Sequence, residues 1–305
     1  MTGPRAVPTI KQVTAAVPGW QGRRIEVAEI GGGLTNRNYR VDVDRRPSFV
    51  RIPGPSTGLL AIDRANELHN SRAAAAAGVG PRVLAHLPEW DVIVLEWLPG
   101  RTMSVAAFGA PTSPARIAEV LRRLHRGPRF LHDFDMFRLT DYYLGVVAER
   151  EVPIPAGFLA ILPVVARIEA ALARRPQPSV PCHNDLLAEN YLDAGDRLWL
   201  VDFEYSGNND PTFELGNTCQ ELGFDDSRAA ELCAAYFGTD DPALLARMHL
   251  QMIMSDVGWT LWAAIQARIS TISYDFAGWA EERWARARAN AGRPEFEAWL
   301  AAVGG

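Results

Sequence analysis

"PCHNDLLAENYLDAGDRLWLVDFEY", residues 181–205, is the stretch of sequence that decides the fold. It places acidic residues, two asparagines and a histidine beside two short apolar runs that are typical of buried strands. Asp185 and Asn190 are separated by five positions on a predicted turn, and Asp202 follows the second run, "LWLV". A hairpin formed by the two runs would bring these three side chains to one place.

Such a set of side chains fits phosphoryl transfer. One carboxylate accepts the proton of an incoming hydroxyl, while an amide oxygen and a second carboxylate hold Mg²⁺ against nucleotide phosphates. The alternative for any one residue is a solvated turn, because Asp and Asn favour turns. The ordered spacing H-x-D-x4-N, a strand and then D-F-E is similar to the protein-kinase pattern and favours a site. His183 is expected to support this loop by hydrogen bonding.

The residues around this stretch divide into two kinds of pattern. Residues 23–30, 31–43, 48–54 and 91–100 predict strands, with a Gly-rich turn at 31–33 and a helix over 61–78. Helical patterns dominate afterwards, over 114–126, 157–174, 213–237, 243–268 and 275–290. The sequence therefore predicts an α+β fold with a small β-rich N-terminal lobe and a larger helical C-terminal lobe. The turn "LEWLPG", residues 95–100, is the predicted hinge.

The N-terminal part also carries groups suited to a nucleotide. The turn "GGGLTNRNY" lies between strands and could cover phosphates, although Gly turns are common in hairpins. Arg51 on the third strand and Glu67 on the following helix could form the cation–carboxylate pair of a kinase, or only a surface ion pair. The cation is Arg rather than Lys, and Lys11 is the single lysine of the chain. An arginine stays charged and binds phosphate in a bidentate manner.

Composition excludes several classes of function. The 305 residues carry a net charge of −5 and contain no basic run, so nucleic acid is not an expected partner. The N-terminus lacks the apolar region of a signal peptide, and no apolar run is long enough for membrane insertion. The three cysteines, Cys182, Cys219 and Cys233, have no metal-site spacing and favour a cytoplasmic location with reduced thiols.

Longer motifs resemble the choline/ethanolamine kinase family, within the aminoglycoside-phosphotransferase-like kinases of the protein-kinase-like superfamily. They run in family order over about residues 30–285: "GGLTNRNYRV", "FVRIPG", "IDRANEL", "GVGPRVLAHL", "CHNDLLAEN", "LVDFEYSGNNDPTFELGN" and "WTLWAAIQARISTISYDFAGWAEERW". The last two are much more specific than the generic kinase loop. The chain departs from the family at "AEN", which often contains Gly, and at "CQELGFDDS", which replaces a tyrosine-rich stretch.

The resemblance implies a two-lobed protein-kinase-like fold and transfer of phosphate from ATP to choline, with Mg²⁺. It implies Asp185 as the catalytic base, and Asn190 and Asp202 as metal ligands. Its lobes correspond to a nucleotide-binding lobe at residues 1–97 and a catalytic and substrate-binding lobe at 98–305. The residues assigned to the nucleotide are Gly32, Gly33, Asn36, Arg51, Glu67, Glu96 and Trp97.

Choline carries a quaternary ammonium, which cannot donate a hydrogen bond and is recognised by aromatic faces and nearby carboxylates. Trp259 and Trp262 share one predicted helix face, and Trp279 lies on the next helix. An aromatic stripe of this kind is more often core packing, but these positions coincide with choline-pocket aromatics of the family. Glu221 matches an acidic pocket position, and Glu204 is also assigned to substrate binding.

Three alternatives stay open at this point. The substrate could be another amino alcohol or small alcohol: ethanolamine, an amino sugar, an aminoglycoside or thiamine. Asp225 and Asp226 would favour a primary ammonium, which donates hydrogen bonds to carboxylates. The second is a nucleotide- or choline-binding protein without catalysis, and the intact Asp185, Asn190 and Asp202 argue against it. The third is a helical interaction module, which would leave the acidic hairpin unexplained.

Overall fold

The computed structural model describes residues 7–31, 33–54 and 57–304. Gly32, which the sequence analysis assigns to nucleotide binding, lies outside these described residues. The confirmed fold class is α+β: an N-terminal antiparallel sheet precedes a larger helical part of the chain.

The N-terminal lobe is built on one five-stranded antiparallel sheet with strand order β1-β2-β3-β5-β4. Alternating apolar residues of β2 and β3 bury one sheet face against helix α1, with Val13, Tyr39, Val41 and Val50 in the core. The elements are α1 Ile10–Ala16, β1 Ile25–Ile30, β2 Asn36–Val43, β3 Arg46–Pro53, α2 Arg64–Ala76, β4 Val83–Leu87 and β5 Val92–Glu96.

The C-terminal lobe begins after β5 with a short strand that pairs with the acidic hairpin. Its elements are β6 Arg101–Thr102, α3 Ser113–His125, α4 Met136–Arg150, α5 Leu162–Leu172, β7 Val180–Cys182, β8 Tyr191–Asp193, β9 Leu198–Leu200, β10 Gly207–Asn209, α6 Pro211–Leu222, α7 Asp226–Phe237, α8 Pro242–Ile269, α9 Phe276–Ala291 and α10 Phe296–Gly304. Short 3₁₀ helices lie at Thr57–Leu60, Val105–Gly109, Phe158–Ile161 and Ala188–Asn190.

The long helix α8 organises this lobe, because it is buried from Ala246 to Gln266 and packs against α4, α6, α9 and α10. Two glycines allow α4 and α6 to approach α8 closely. A Cβ at Gly258 would lie 2.0 Å from Met136 Sδ of α4, and one at Gly216 of α6 would meet the α8 backbone at 3.0 Å. Among the helices of the described residues, none combines the length and apolar character that crossing a membrane requires.

Several element predictions need correction. The single helix predicted over 213–237 is two helices, because Gly223 adopts a left-handed φ of 64° that ends α6, and Asp225 then caps α7. Helices α1 and α10 have no predicted counterpart. Nor has helix α4, since its two adjacent tyrosines and Gly145 have low helix propensity. Its stability comes from Asp135, which caps its N-terminus, and from packing against α8.

Candidate active site

A cavity of about 790 Å³ is lined by residues of both lobes. The predicted site residues that line it are Gly33, Arg51, Glu96, Trp97, Asp185, Asn190, Asp202, Glu204, Glu221, Trp259, Trp262 and Trp279. Asn36 and Glu67 do not line it but are buried behind it. Residues that are distant in the sequence therefore meet in one cleft.

The acidic stretch forms the predicted hairpin. Strand β8 pairs with β9 so that Tyr191 lies opposite Leu200, and Asn190 and Asp202 flank the pair. The Asn190 Nδ2 donates to the backbone oxygen of Asp185 at 2.8 Å, which leaves the amide oxygen available as an acceptor. His183 contacts the Val201 backbone oxygen through Nε2 at 2.8 Å, so its ring supports the loop as expected.

Asp185 lies in an unusually acidic environment. Burial raises the pKa of its carboxyl well above the ordinary value, and the carboxylates of Asp202, Glu221 and Glu204 add to this effect, whereas Arg283 opposes it. A carboxylate with a raised pKa is a better proton acceptor than an ordinary aspartate. The surroundings of Asp185 therefore suit general-base chemistry.

Two side chains of α6 hold the backbone on either side of Asp185. The Glu214 carboxylate accepts the backbone N–H groups of His183 and Asn184, both at 2.7 Å. Asn217, one turn later, accepts the N–H of Leu186 at 2.8 Å. Glu214 and Asn217 are completely buried. Neither residue was expected in the site from the sequence, although both stand in the "FELGN" motif.

The strand arginine makes the predicted pair and one more. Arg51 Nη1 lies 2.8 Å from Glu67 Oε1 and 2.7 Å from Asp202 Oδ1. It therefore connects β3, α2 and the residue that follows the acidic hairpin. The Arg51 and Glu67 side chains are buried, which rules out a solvated surface pair.

Glu204 joins the two lobes. One carboxylate oxygen accepts from the Thr35 hydroxyl at 2.6 Å, and the other accepts from Asn36 Nδ2 at 2.8 Å and from Arg64 Nη1 at 3.1 Å. Arg64 also donates to Asn36 Oδ1 and to Glu67. Glu204 lines the cavity, but its hydrogen bonds go to the N-terminal lobe.

Four aromatic residues of the C-terminal lobe line one part of the cavity, and we call them the aromatic wall: Tyr205, Trp259, Trp262 and Trp279. Trp259 and Trp262 of α8 are almost fully buried, and Trp262 packs edge-on against Trp279 of α9 with ring centroids 5.3 Å apart. Tyr205 completes the wall, because its hydroxyl accepts from Trp262 Nε1 at 2.6 Å and its ring lies 5.0 Å from that of Trp259. Further along α8, Gln266 donates to the backbone oxygen of Leu34, beside the Gly-rich turn.

Two carboxylates expected near the substrate lie elsewhere. Asp225 accepts the backbone N–H of Arg228 as the cap of α7, and Asp226 forms a surface ion pair with Arg293 at 2.7 Å. Neither residue lines the cavity. The suggestion that this pair of aspartates would favour a primary ammonium is therefore wrong.

Two ion pairs lie next to the aromatic wall, and Glu221, Arg283 and Arg286 also line the cavity. Arg283 of α9 pairs with Glu221, and its guanidinium carbon lies 3.4 Å from the centroid of the Trp279 ring. Arg286 pairs with Asp256 of α8 at 2.5 Å, and Gln220 also donates to Asp256. Burial nevertheless raises the pKa of Asp256 to about 6, since the opposing effects of Arg286 and Arg283 offset only part of its desolvation.

The free energy of unfolding of Asp256→Asn, relative to that of the wild type, should increase as the pH rises. The folded wild type binds the Asp256 proton more tightly than the unfolded chain does, so the contribution of this group to stability falls as the pH rises toward 6. Between about pH 4.5 and pH 7.5 the stability difference should shift toward the variant by about 2 kcal/mol. Urea unfolding at the two pH values measures it. Asp141→Asn, at an exposed carboxylate, controls for general pH effects; a difference independent of pH would contradict the prediction.

Comparisons with known proteins place the chain in a family. The model of the phosphotransferase enzyme family matches residues 26–250. The chain is 28% identical over 300 residues to ethanolamine kinase 2 of Mus musculus, covering 88% of this chain and 76% of that protein.

Solved structures of similar proteins share the fold. The structure of a choline/ethanolamine kinase family protein from Mesorhizobium loti is 39% identical, with a TM-score of 0.84, covering 97% of this chain and 98% of that one. The choline kinase LicA from Streptococcus pneumoniae is 23% identical and has the same fold, with a TM-score of 0.80 and coverage of 92% and 98%.

Proposed function

The chain belongs to the phosphotransferase enzyme family and, within it, to the choline/ethanolamine kinase family, and we propose that it transfers the γ-phosphoryl group of ATP to the hydroxyl of choline. Its family makes it a small-molecule kinase with an alcohol group as acceptor. The products of the proposed reaction are phosphocholine and ADP.

The observation that carries the choice of choline is the aromatic wall. Tyr205, Trp259, Trp262 and Trp279 line the same cavity as Asp185. A trimethylammonium group has no N–H to donate, and it is attracted by the faces of aromatic rings as well as by nearby carboxylates. A substrate whose cation rests on this wall can extend its hydroxyl toward Asp185.

Asp185 is the proposed base. The choline oxygen attacks the γ-phosphorus in line with the bond to the bridging oxygen of ADP, which breaks as the new P–O bond forms. Asp185 orients the hydroxyl and receives its proton, which later passes to water. No covalent enzyme intermediate is needed, since acceptor and phosphate meet directly.

The metal ligands proposed are Asn190 and Asp202. The Asn190 amide turns its nitrogen toward the loop backbone, which leaves its oxygen free for a cation, and Asp202 adds a partly exposed carboxylate. Oxygen ligands of this kind suit a hard cation such as Mg²⁺. When bound, the ion would neutralise charge on the phosphates. Arg51 pairs with Asp202 and would orient that carboxylate and the phosphates.

The proposed nucleotide site is formed by the N-terminal lobe. Gly33 approaches the backbone closely, because a Cβ there would meet the Asn36 backbone oxygen at 2.5 Å. The Arg51–Glu67 pair would set the phosphates, and Glu96 and Trp97 lie at the cavity end of β5. We place the lobe boundary after Trp97, so that residues 1–97 bind ATP and 98–305 bind the alcohol. The 97–100 turn would then act as the hinge.

Ethanolamine is the second candidate substrate, because Glu221 also lines the cavity. A primary ammonium donates up to three hydrogen bonds and would prefer such a carboxylate to an aromatic face. The mouse relative named above is an ethanolamine kinase.

An ADP-release assay with ATP and Mg²⁺ tests the proposal. The acceptors are choline, ethanolamine, thiamine and an aminoglycoside panel. We expect the highest kcat/KM with choline. Turnover with another alcohol alone would keep the kinase chemistry and refute choline, and nucleotide binding without turnover on the whole panel would refute the proposed reaction.

The aromatic wall has its own control within the same assay. Trp262→Leu should raise the KM for choline by about tenfold, since a cation–π contact in a desolvated site is worth about 1–2 kcal/mol. Trp199→Leu alters a tryptophan outside this cavity and should leave that KM unchanged. Equal effects of the two variants would argue against the wall.

A further inference from the structure

We propose that Arg283 is an internal cation that sets which ammonium substrates the cavity accepts. Arg283 forms an ion pair with Glu221 and covers one face of Trp279. A substrate cation in the pocket therefore meets aromatic rings and does not meet a free Glu221 carboxylate. This inference rests on the proposed function, because it assumes an amino alcohol in the cavity. It assigns specificity to a residue that the sequence motifs do not single out.

The geometry of Arg283 is that of a bound ligand. Its guanidinium carbon lies 3.4 Å from the Trp279 ring centroid, within the range of direct stacking, and Nη2 pairs with a Glu221 oxygen. The side chains of Arg283 and Glu221 are only 2% and 5% exposed. A carboxylate and an aromatic face are the two groups that recognise an ammonium ion. Glu221 and one face of Trp279 are already taken by a cation that belongs to the protein, which leaves the rings of Tyr205, Trp259 and Trp262 for the substrate.

Other carboxylates near the wall are also engaged. Asp256 pairs with Arg286 and accepts from Gln220, and Glu282 is largely exposed and 4.0 Å from Arg286. Asp185 is the proposed base and faces the reacting hydroxyl. Glu204, which also lines the cavity, accepts from Thr35, Asn36 and Arg64. Among the described residues, the buried carboxylates Glu221, Asp256 and Glu204 are thus already paired, and a substrate cation on the aromatic wall meets ring faces.

This arrangement separates the two amino alcohols by their hydrogen bonds. Choline loses no hydrogen bond, because its ammonium has no N–H. Ethanolamine brings three N–H donors, and each one left without an acceptor in a buried site costs about 1–3 kcal/mol. Arg283 thus disfavours the primary ammonium, because it already binds the Glu221 carboxylate that would accept an N–H of this substrate. Specificity of this kind comes from an unfavourable interaction with the competing substrate.

A double-mutant cycle tests the inference. Arg283→Met keeps a long apolar side chain but frees Glu221, and Glu221→Gln removes the carboxylate charge. We expect Arg283→Met to lower the choline-to-ethanolamine ratio of kcat/KM by about tenfold or more, mainly through a lower KM for ethanolamine relative to choline, since one recovered hydrogen bond to a charged group is of that size. Adding Glu221→Gln should restore the ratio, and Arg283→Lys should retain most of the wild-type ratio.

The outcomes are separable from those of the proposed function. The wild-type acceptor panel decides whether the enzyme uses choline, and the change of the ratio between variants tests Arg283 whichever amino alcohol the wild type prefers. An unchanged ratio in Arg283→Met, or one that Glu221→Gln does not restore, overturns the inference. If Arg283→Met fails to fold by circular dichroism, Glu221→Gln alone is decisive. The unpaired Arg283 charge should then raise the KM of both substrates, and unchanged KM values would overturn the inference.

Discussion

Asp185→Asn should reduce choline-dependent ADP release by about 10²–10⁴-fold, which is the usual contribution of a positioned general base. The amide has nearly the same shape but cannot take the proton of the hydroxyl. The surroundings of Asp185 in the wild type favour a proton acceptor, because burial and neighbouring carboxylates raise the pKa of this carboxyl group. ATP affinity, measured by calorimetry on the same variant, should change little, since Arg51 and Glu67 remain in place.

The matched control is Asp196→Asn. Asp196 lies in the same stretch, between β8 and β9, but its side chain is 76% exposed. It should keep wild-type turnover. Retained turnover in Asp185→Asn would remove the base assignment, and a joint loss of turnover and ATP binding would point to a collapsed site.

Glu214→Ala should destabilise the protein by about 2–6 kcal/mol, because it leaves the buried N–H groups of His183 and Asn184 without acceptors at about 1–3 kcal/mol each. The same change should lower kcat, since both amides belong to the backbone that carries Asp185. Urea unfolding and steady-state kinetics measure the two effects. ATP binding should be affected less than kcat.

Glu231→Ala is the control for helix and charge effects. Glu231 lies on the neighbouring helix α7, is 53% exposed and is 3.7 Å from Arg228. Its removal should cost no more than about 0.5 kcal/mol, as is usual for surface substitutions. A Glu214→Ala protein as stable as this control would show that water replaces the lost carboxylate.

The sequence predicts the parts of the site whose spacing is local. Asp185, Asn190 and Asp202 lie within one hairpin, and a turn between two strands must bring them together. Trp259 and Trp262 follow helical periodicity and lie on one face of α8 as predicted. These inferences depend on backbone geometry that is repeated in every hairpin and helix.

The groups that escape sequence analysis act through distant partners. Glu214 holds amides about 30 positions earlier, and Arg283 pairs with Glu221 from 62 positions away. No periodicity marks such pairs, because the contact exists only after the helices have packed. Asp225 and Asp226 are the opposite case, because the sequence suggests a binding role that they do not have in the structure. Two carboxylates near a substrate motif suggest binding, but a residue just before a helix more often caps it.

Helix α8 connects the aromatic wall with the Gly-rich turn, so under the proposed function it would link the binding of the two substrates. It carries Trp259 and Trp262, and from Gln266 it donates to the Leu34 carbonyl beside the Gly-rich turn. Nucleotide phosphates that contact the Gly-rich turn, and a substrate cation that binds Trp259 and Trp262, would thus both affect the hydrogen bond between Gln266 and Leu34. Free energy exchanged through such a contact is reciprocal: by whatever factor the nucleotide alters affinity for the alcohol, the alcohol alters affinity for the nucleotide.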